Sequence, residues 1–251
     1  MRKEPTMSIQ QSDVIDYVEM HIGDFHTRRL ESLKKLKLAN ILKRKNPYLF
    51  RAKDILTGEV LVKILLESHL SSQEEAMFGE FLEGLAIYTC SKVYGGKKSA
   101  ADGMDLEFTK NQVVYVVSIK SGPNWGNSRQ IKKLEDDFRR AKKILHTSGG
   151  DVHVIAVNGC CYGIDHQPDK GDYFKLCGQN FWEFISGDTN LYVDIIEPLG
   201  FRAKERNQEF HQAYAQIVNI FTKEFADNFY TKEGSIDWVK LVQFNSGKGA
   251  S

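Results

Sequence analysis

Two ionisable residues stand where short strands would end. In GMDLEF, residues 103–108, Asp105 lies among Met104, Leu106 and Phe108. In VVYVVSIK, residues 113–120, an apolar β-branched run closes on Lys120. Side chains alternate faces along a strand. Asp105 and Glu107 would therefore share one face against Leu106 and Phe108, and Ser118 and Lys120 one face against Val117 and Ile119. A carboxylate or ammonium in such surroundings needs a partner if it is buried. If the two segments form a hairpin, Asp105 and Lys120 can converge where the strands splay at the sheet edge. One reading of the pair is a structural ion pair at a strand end. The other is phosphodiester hydrolysis. A carboxylate offers hard oxygen to Mg²⁺, the metal polarises a phosphate and acidifies a bound water, and an ammonium orients that water or offsets transition-state charge.

The elements that must position these residues follow from periodicity. Residues 9–45 read as helical, with Val14, Ile15, Val18 and Ile22 on one face, and Pro47 is expected to end the region. DILTGEVLVKILLESHL reads as a second helix capped by Asp54 or Thr57. SSQEEAMFGEFLEGLAIYTCSKVYGG reads as a third, capped by Ser71 or Ser72 and stopped by Gly95-Gly96. Strands are expected over 104–108, 113–120 and 151–163, with a turn at Asn111-Gln112. Between the last two strands, a helix capped by Asn127 or Ser128 turns Ile131, Leu134, Phe138, Ala141 and Leu145 inward. Residues 180–187 read as helix or turn, 191–200 as strand or helix, 203–229 as helix, and the tail from Asn245 as loose. The fold class is α/β (α+β mixed), a central sheet flanked by helices.

Composition narrows the function classes. The chain has 251 residues, 41% hydrophobic and 27% charged, which is ordinary for a soluble protein. Its apolar runs fall short of the roughly 18 residues of a membrane span, and MRKEPTMSIQQSDV has no apolar signal core. The cytoplasm is therefore the expected location, with no membrane partner. Four cysteines form no CxxC pair, which points to reduced thiols rather than zinc or disulfides. GGKKSAADG lacks the frame of a nucleotide-binding glycine loop. Net charge is +1, but residues 28–53 carry ten Lys or Arg against one Glu, a local +9. This segregation suits a polyanionic partner or a solvated helix face. Lys34, Lys35, Lys37 and Lys43 are its candidate phosphate contacts.

GMDLEF followed by VVSIKSG resembles the catalytic core of the PD-(D/E)XK nuclease superfamily, and the sequence is most similar to its type II restriction endonucleases. FGEFLEGLAIYTCSKVYGG before the core and SGPNWGNSRQIKKLEDDFRRAKKI after it are similar too, so the resemblance covers about residues 70–185. It implies a restriction-endonuclease-like mixed sheet and a single nuclease domain over 1–251. Within it lie a helical subregion of about 1–70, a core of about 71–200 and a helical region of about 203–240. Asp105 matches the metal-binding aspartate and Lys120 the catalytic lysine. The acid two residues before the lysine falls on Ser118, a neutral and weak oxygen ligand. Some enzymes of this kind recruit a glutamate from the preceding helix. Here Glu83 is preferred, Glu80 stays open, and Glu107 is another compensator. Gln130 resembles a polar residue that supports the site. Gly122 and Gly126 would let backbone approach a phosphate. Trp125, Asn127, Ser128 and Arg129, at a helix start, are further DNA-contact candidates. Tyr162, Lys170 and Lys175 belong to an excursion that contacts DNA or supports the sheet. The resemblance implies Mg²⁺-dependent cleavage of double-stranded DNA at a short specific sequence, leaving 5′-phosphate, by a homodimer partnered with a cognate DNA methyltransferase. A structure-specific repair nuclease and a non-catalytic DNA-binding protein on the same fold are the alternatives, the latter because of Ser118.

Overall fold

A computed structural model describes residues 8–149 and 152–248. The chain order is α1 (Gln11–Lys34), α2 (Leu38–Leu42), α3 (Pro47–Ala52), α4 (Gly58–Tyr94), β1 (Leu106–Lys110), β2 (Val113–Lys120), α5 (Ser128–Gly149), β3 (Val154–Cys160), β4 (Phe174–Cys177), α6 (Gln179–Ser186), α7 (Leu191–Asp194), α8 (Ile196–Leu199), α9 (Ala203–Phe229) and α10 (Trp238–Ser246). The chain divides into two compact units, one of residues 1–23 and 78–201, the other of 24–77 and 202–251.

The first unit holds the sheet, ordered β1-β2-β3-β4. Strands β1 and β2 pair antiparallel, with Leu106 opposite Val117, while β2–β3 and β3–β4 are parallel. This is the expected mixed sheet. The hairpin turns at Asn111 and Gln112, both left-handed at φ 52° and 63°, the pattern whose twist suits a two-residue connection. The helix α5 makes the crossover that parallel β2 and β3 require. Its Leu134, Phe138 and Ala141 pack with Val116, Val154 and Ala156. Ile131, expected on that side, is instead 37% exposed, one step off the buried stripe. On the opposite side of the sheet Phe108 stacks on Tyr94 and Tyr115 and meets Phe184.

The second unit is helical. Leu38, Ile41, Leu42, Phe50, Leu61, Leu65 and Leu66 bury against Val218, Phe221, Phe225 and Phe229 of α9 and Leu241 of α10.

Several element boundaries differ from expectation. Pro47 begins a helix instead of ending one. It sits in the first turn of α3, where its missing N–H costs nothing, and Asn46 accepts from the Tyr48 and Leu49 amides. Ser71 and Ser72 cap nothing, because α4 runs through them unbroken. Ser72 Oγ simply donates back to the Ser68 carbonyl at 3.1 Å. Thr57 is the observed cap, accepting from Val60 N–H. Gly95, at φ +66°, ends α4 as expected. The first strand starts two residues late, so Asp105 precedes it. Residues 191–200 form two short helices. Strand β4 and helix α10 had no expectation of their own. Asn245 and Ser246 of the supposed loose tail complete α10, and residues 249–251 lie outside the described residues.

Candidate active site

The hairpin register places Asp105 beside the end of β2. Its N–H donates to the Val117 carbonyl at 2.9 Å. Its Oδ2 accepts from the Ile119 amide at 2.6 Å and lies 3.4 Å from Ser118 Oγ. Lys120 Nζ stands 3.9 Å from the same oxygen, and the two side chains are 30% and 23% exposed. The strand-end convergence expected from alternation is therefore present. It uses Asp105 from the loop before β1 rather than from within the strand.

Glu83, half-buried on α4, lies within electrostatic reach of them. Burial, and then the Asp105 carboxylate, push its pKa above the usual carboxylate range, with Lys98 and Lys120 opposing and Glu80 adding to the rise. Glu83, one of the α4 glutamates offered as a compensator, thus shares a field with Asp105 and Lys120. Glu80 is exposed one turn away. Glu107 is engaged elsewhere, by Lys97 Nζ at 3.0 Å and Ser99 Oγ at 3.1 Å. Among the described residues no group of three or more His, Cys, Asp or Glu side chains is placed to hold a metal ion.

Ser118 is fully buried and lies opposite Asn158 in the β2–β3 register. Asn158 Nδ2 donates to the Ser118 carbonyl at 3.2 Å, and its Oδ1 accepts from Trp125 Nε1 at 3.1 Å. The Trp125 ring, half-buried against the α5 core, carries Lys120 Nζ 5.4 Å from its centroid. Asn158 escaped the sequence reading. Its signal was an amide amid the apolar run VIAVNGC, where a polar group must find partners.

The start of α5 is a capping box. Asn127 Oδ1 accepts from the Arg129 and Gln130 amides at 3.1 Å each, and Gln130 Oε1 accepts from Asn127 N–H at 2.9 Å. Asn127, Ser128, Arg129 and Gln130 are all exposed there. Gln130 therefore has a folding task at this helix start. Gly122 has a reason other than phosphate approach, since a Cβ there would collide with the Tyr162 ring that covers it. Lys170 and Lys175 pair with Asp165 at 3.1 and 3.5 Å, and Lys175 also donates to the Pro123 carbonyl at 2.9 Å. That arrangement braces the loop after Lys120. On α5, Arg139 pairs with Asp136 and Asp172, and Arg140 with Asp137.

Lys34, Lys35, Lys37 and Lys43 belong to the other unit. Lys34 pairs with Glu209 and Lys35 with Glu31, while Lys43 stands over the Phe244 ring.

A mixed sheet in this order, with helices on both faces and an Asp–Lys pair at the end of its antiparallel strands, is a restriction-endonuclease-like fold. The chain matches the family described as type II restriction endonuclease EcoO109I over residues 12–207, and it belongs to that family. Membership supports nuclease activity. A search of curated proteins finds no match. No helix among the described residues is long and apolar enough to cross a membrane.

Proposed function

We propose that this chain is a site-specific endonuclease that cleaves double-stranded DNA by Mg²⁺-dependent phosphodiester hydrolysis, leaving 5′-phosphate. The observation that carries the reading is the meeting of Asp105 and Lys120 at one end of the β1–β2 hairpin, with the half-buried Glu83 of α4 within their electrostatic reach. Two carboxylates, one already resisting ionisation because of burial and the other's charge, make a place that a hard cation relieves. Mg²⁺ commonly binds through one or two carboxylates and completes its shell with water and substrate phosphate. Asp105 and Glu83 would hold the ion, with Glu80 as the alternative acid. When bound, it would polarise the scissile phosphate and acidify a water.

The chain's own groups supply the rest. The Ile119 amide and Ser118 hydroxyl orient the Asp105 carboxylate, leaving Oδ1 for another partner. Lys120 holds a positive charge where charge builds on the phosphate. Trp125 and Asn158 keep that ammonium at the strand end. Gln130, with Asn127, Ser128 and Arg129, presents the α5 start as an anion-facing surface. Lys34, Lys35, Lys37 and Lys43 contribute phosphate contacts. The same reading includes a two-fold homodimer matched to a palindromic site, a cognate DNA methyltransferase, and a cytoplasmic location.

One observation favours a second reading. Ser118 brings no charge to the position two before the lysine, which suits a DNA-binding protein that does not cut. Incubation with unmethylated phage DNA in Mg²⁺ or EDTA decides. Discrete Mg²⁺-dependent fragments are expected. A gel shift without cleavage, in Mn²⁺ as well, would establish the second reading.

A further inference from the structure

The basic segment resolves into residues with different surroundings. Lys34, Lys35 and Lys43 are occupied as described above. Lys37 and Arg44 have no carboxylate partner among the described residues. Both line a cleft of about 460 Å³ between the end of α1, α2 and α4. Arg28 and Lys35 line it too, and Glu31 is the single acid in that lining. Ser32 and Gln73, hydrogen-bonded to each other, join α1 to α4 there. His69 lines the cleft from α4, and its Nε2 is a buried nitrogen without a hydrogen-bond partner.

We propose that this cleft is a phosphate site, occupied by a backbone phosphate of bound duplex DNA away from the scissile bond. The proposal rests on the DNA reading given above. With Lys35 paired to Glu31, Lys37 and Arg44 leave the concave lining positive, and a concave positive surface concentrates anions. The Arg44 guanidinium offers a planar fork that matches two phosphate oxygens. The unpartnered ring nitrogen of His69 can donate to a third. Burial, and then Arg44 and Lys45, hold the His69 pKa below its usual value. Its neutral ring therefore keeps one N–H near neutral pH without adding to the crowd of cations.

The test is duplex binding by the full chain in EDTA, read by fluorescence anisotropy over a salt series. Lys37→Ala/Arg44→Ala should weaken affinity at least tenfold, and should lower the slope of log K against log salt by about one, the contribution of a single phosphate. His69→Gln should weaken affinity severalfold with the slope unchanged. Lys232→Ala, an exposed lysine outside the cleft, controls for net charge and should do neither. If the double variant melts early, Lys37→Gln and Arg44→Gln are measured singly. Unchanged affinity and slope in the cleft variants overturn the proposal. So does thermal protection of wild type by dAMP or inorganic phosphate that the variant loses while it binds duplex normally, since the ligand is then a free phosphate. A wild-type chain that binds no duplex overturns the DNA reading itself.

Discussion

Ser118 and Asp105 are 3.4 Å apart at their side-chain oxygens, so the residue at 118 supports Asp105 with a hydroxyl where an acid would set a second charge beside it. A second carboxylate there would face the first at contact distance in a buried position. The hydroxyl donates instead, and on the proposed reading Glu83 supplies the second carboxylate from α4. Asp105→Ala and Lys120→Ala should each cut single-turnover cleavage by roughly 10²–10³-fold or more, with duplex affinity in EDTA nearly unchanged. Glu83 makes a prediction that needs no cleavage assay. Its folded pKa is raised, so the folded state loses stability relative to the unfolded chain as pH rises through the ordinary carboxylate range to that higher value. Glu83→Gln should therefore melt above wild type at neutral pH in EDTA and match it in acid. Mg²⁺ should raise the wild-type melting temperature and leave the variant's little changed. Identical melting curves in EDTA at neutral pH would count against the uncompensated charge at Glu83.

At the scale of elements, the hairpin and the loop after it decide where Lys120 points. The Asn111-Gln112 turn has positive φ at both residues, a conformation that costs an ordinary side chain roughly 1–2 kcal/mol. Gln112→Gly should stabilise the fold by up to about 1 kcal/mol, read as a shift in urea midpoint at constant slope. Trp125 bridges β3 and Lys120 through its N–H and its ring face. Trp125→Ala should slow cleavage about fivefold at saturating DNA, because the ammonium loses a cation–π contact of about 1 kcal/mol. Trp125→Phe, which keeps a ring face, should recover most of the rate. Asn158→Ala removes the acceptor of the part-buried Trp125 N–H and the donor to the buried Ser118 carbonyl, and should cost about 1–3 kcal/mol of stability.

For the whole molecule, the unit of residues 1–23 and 78–201 carries every residue of the candidate active site, and the unit of 24–77 and 202–251 carries the basic segment. On the proposed reading, double-strand cleavage requires two copies of the first. Sedimentation should find a dimer at assay concentration. Dilution to monomer should abolish concerted cutting of plasmid, leaving at most nicked circles. A chain that stays monomeric while cutting both strands at once would refute the two-fold arrangement.

Apolar runs broken by Asp105 and closed by Lys120 drew attention to both residues, and the family resemblance gave them their roles, while the strand reading still set Asp105 inside β1 and not just before it. Strand β2, the two-residue turn and helix α9 were equally legible, since each is written in local pattern and turn chemistry. Glu83 was legible only as one of several acids. Which carboxylate shares a field with Asp105 depends on how α4 lies against the sheet, and that contact joins residues far apart in sequence. Asn158 and the Tyr162 cover over Gly122 were hidden for the same reason. Their partners lie across strands or loops, and no spacing within a segment encodes them. The unbroken run of α4 through Ser71-Ser72 was likewise a tertiary outcome. Packing of Leu65 and Leu66 in one core and of Leu70 in another outweighs the local preference of serine for a helix end. Local pattern was enough for the strands and the charge segregation, and it offered Asp105 and Lys120 as candidates to converge. Their 3.9 Å approach, and the amides around them, come from long-range packing that no spacing within a segment encodes.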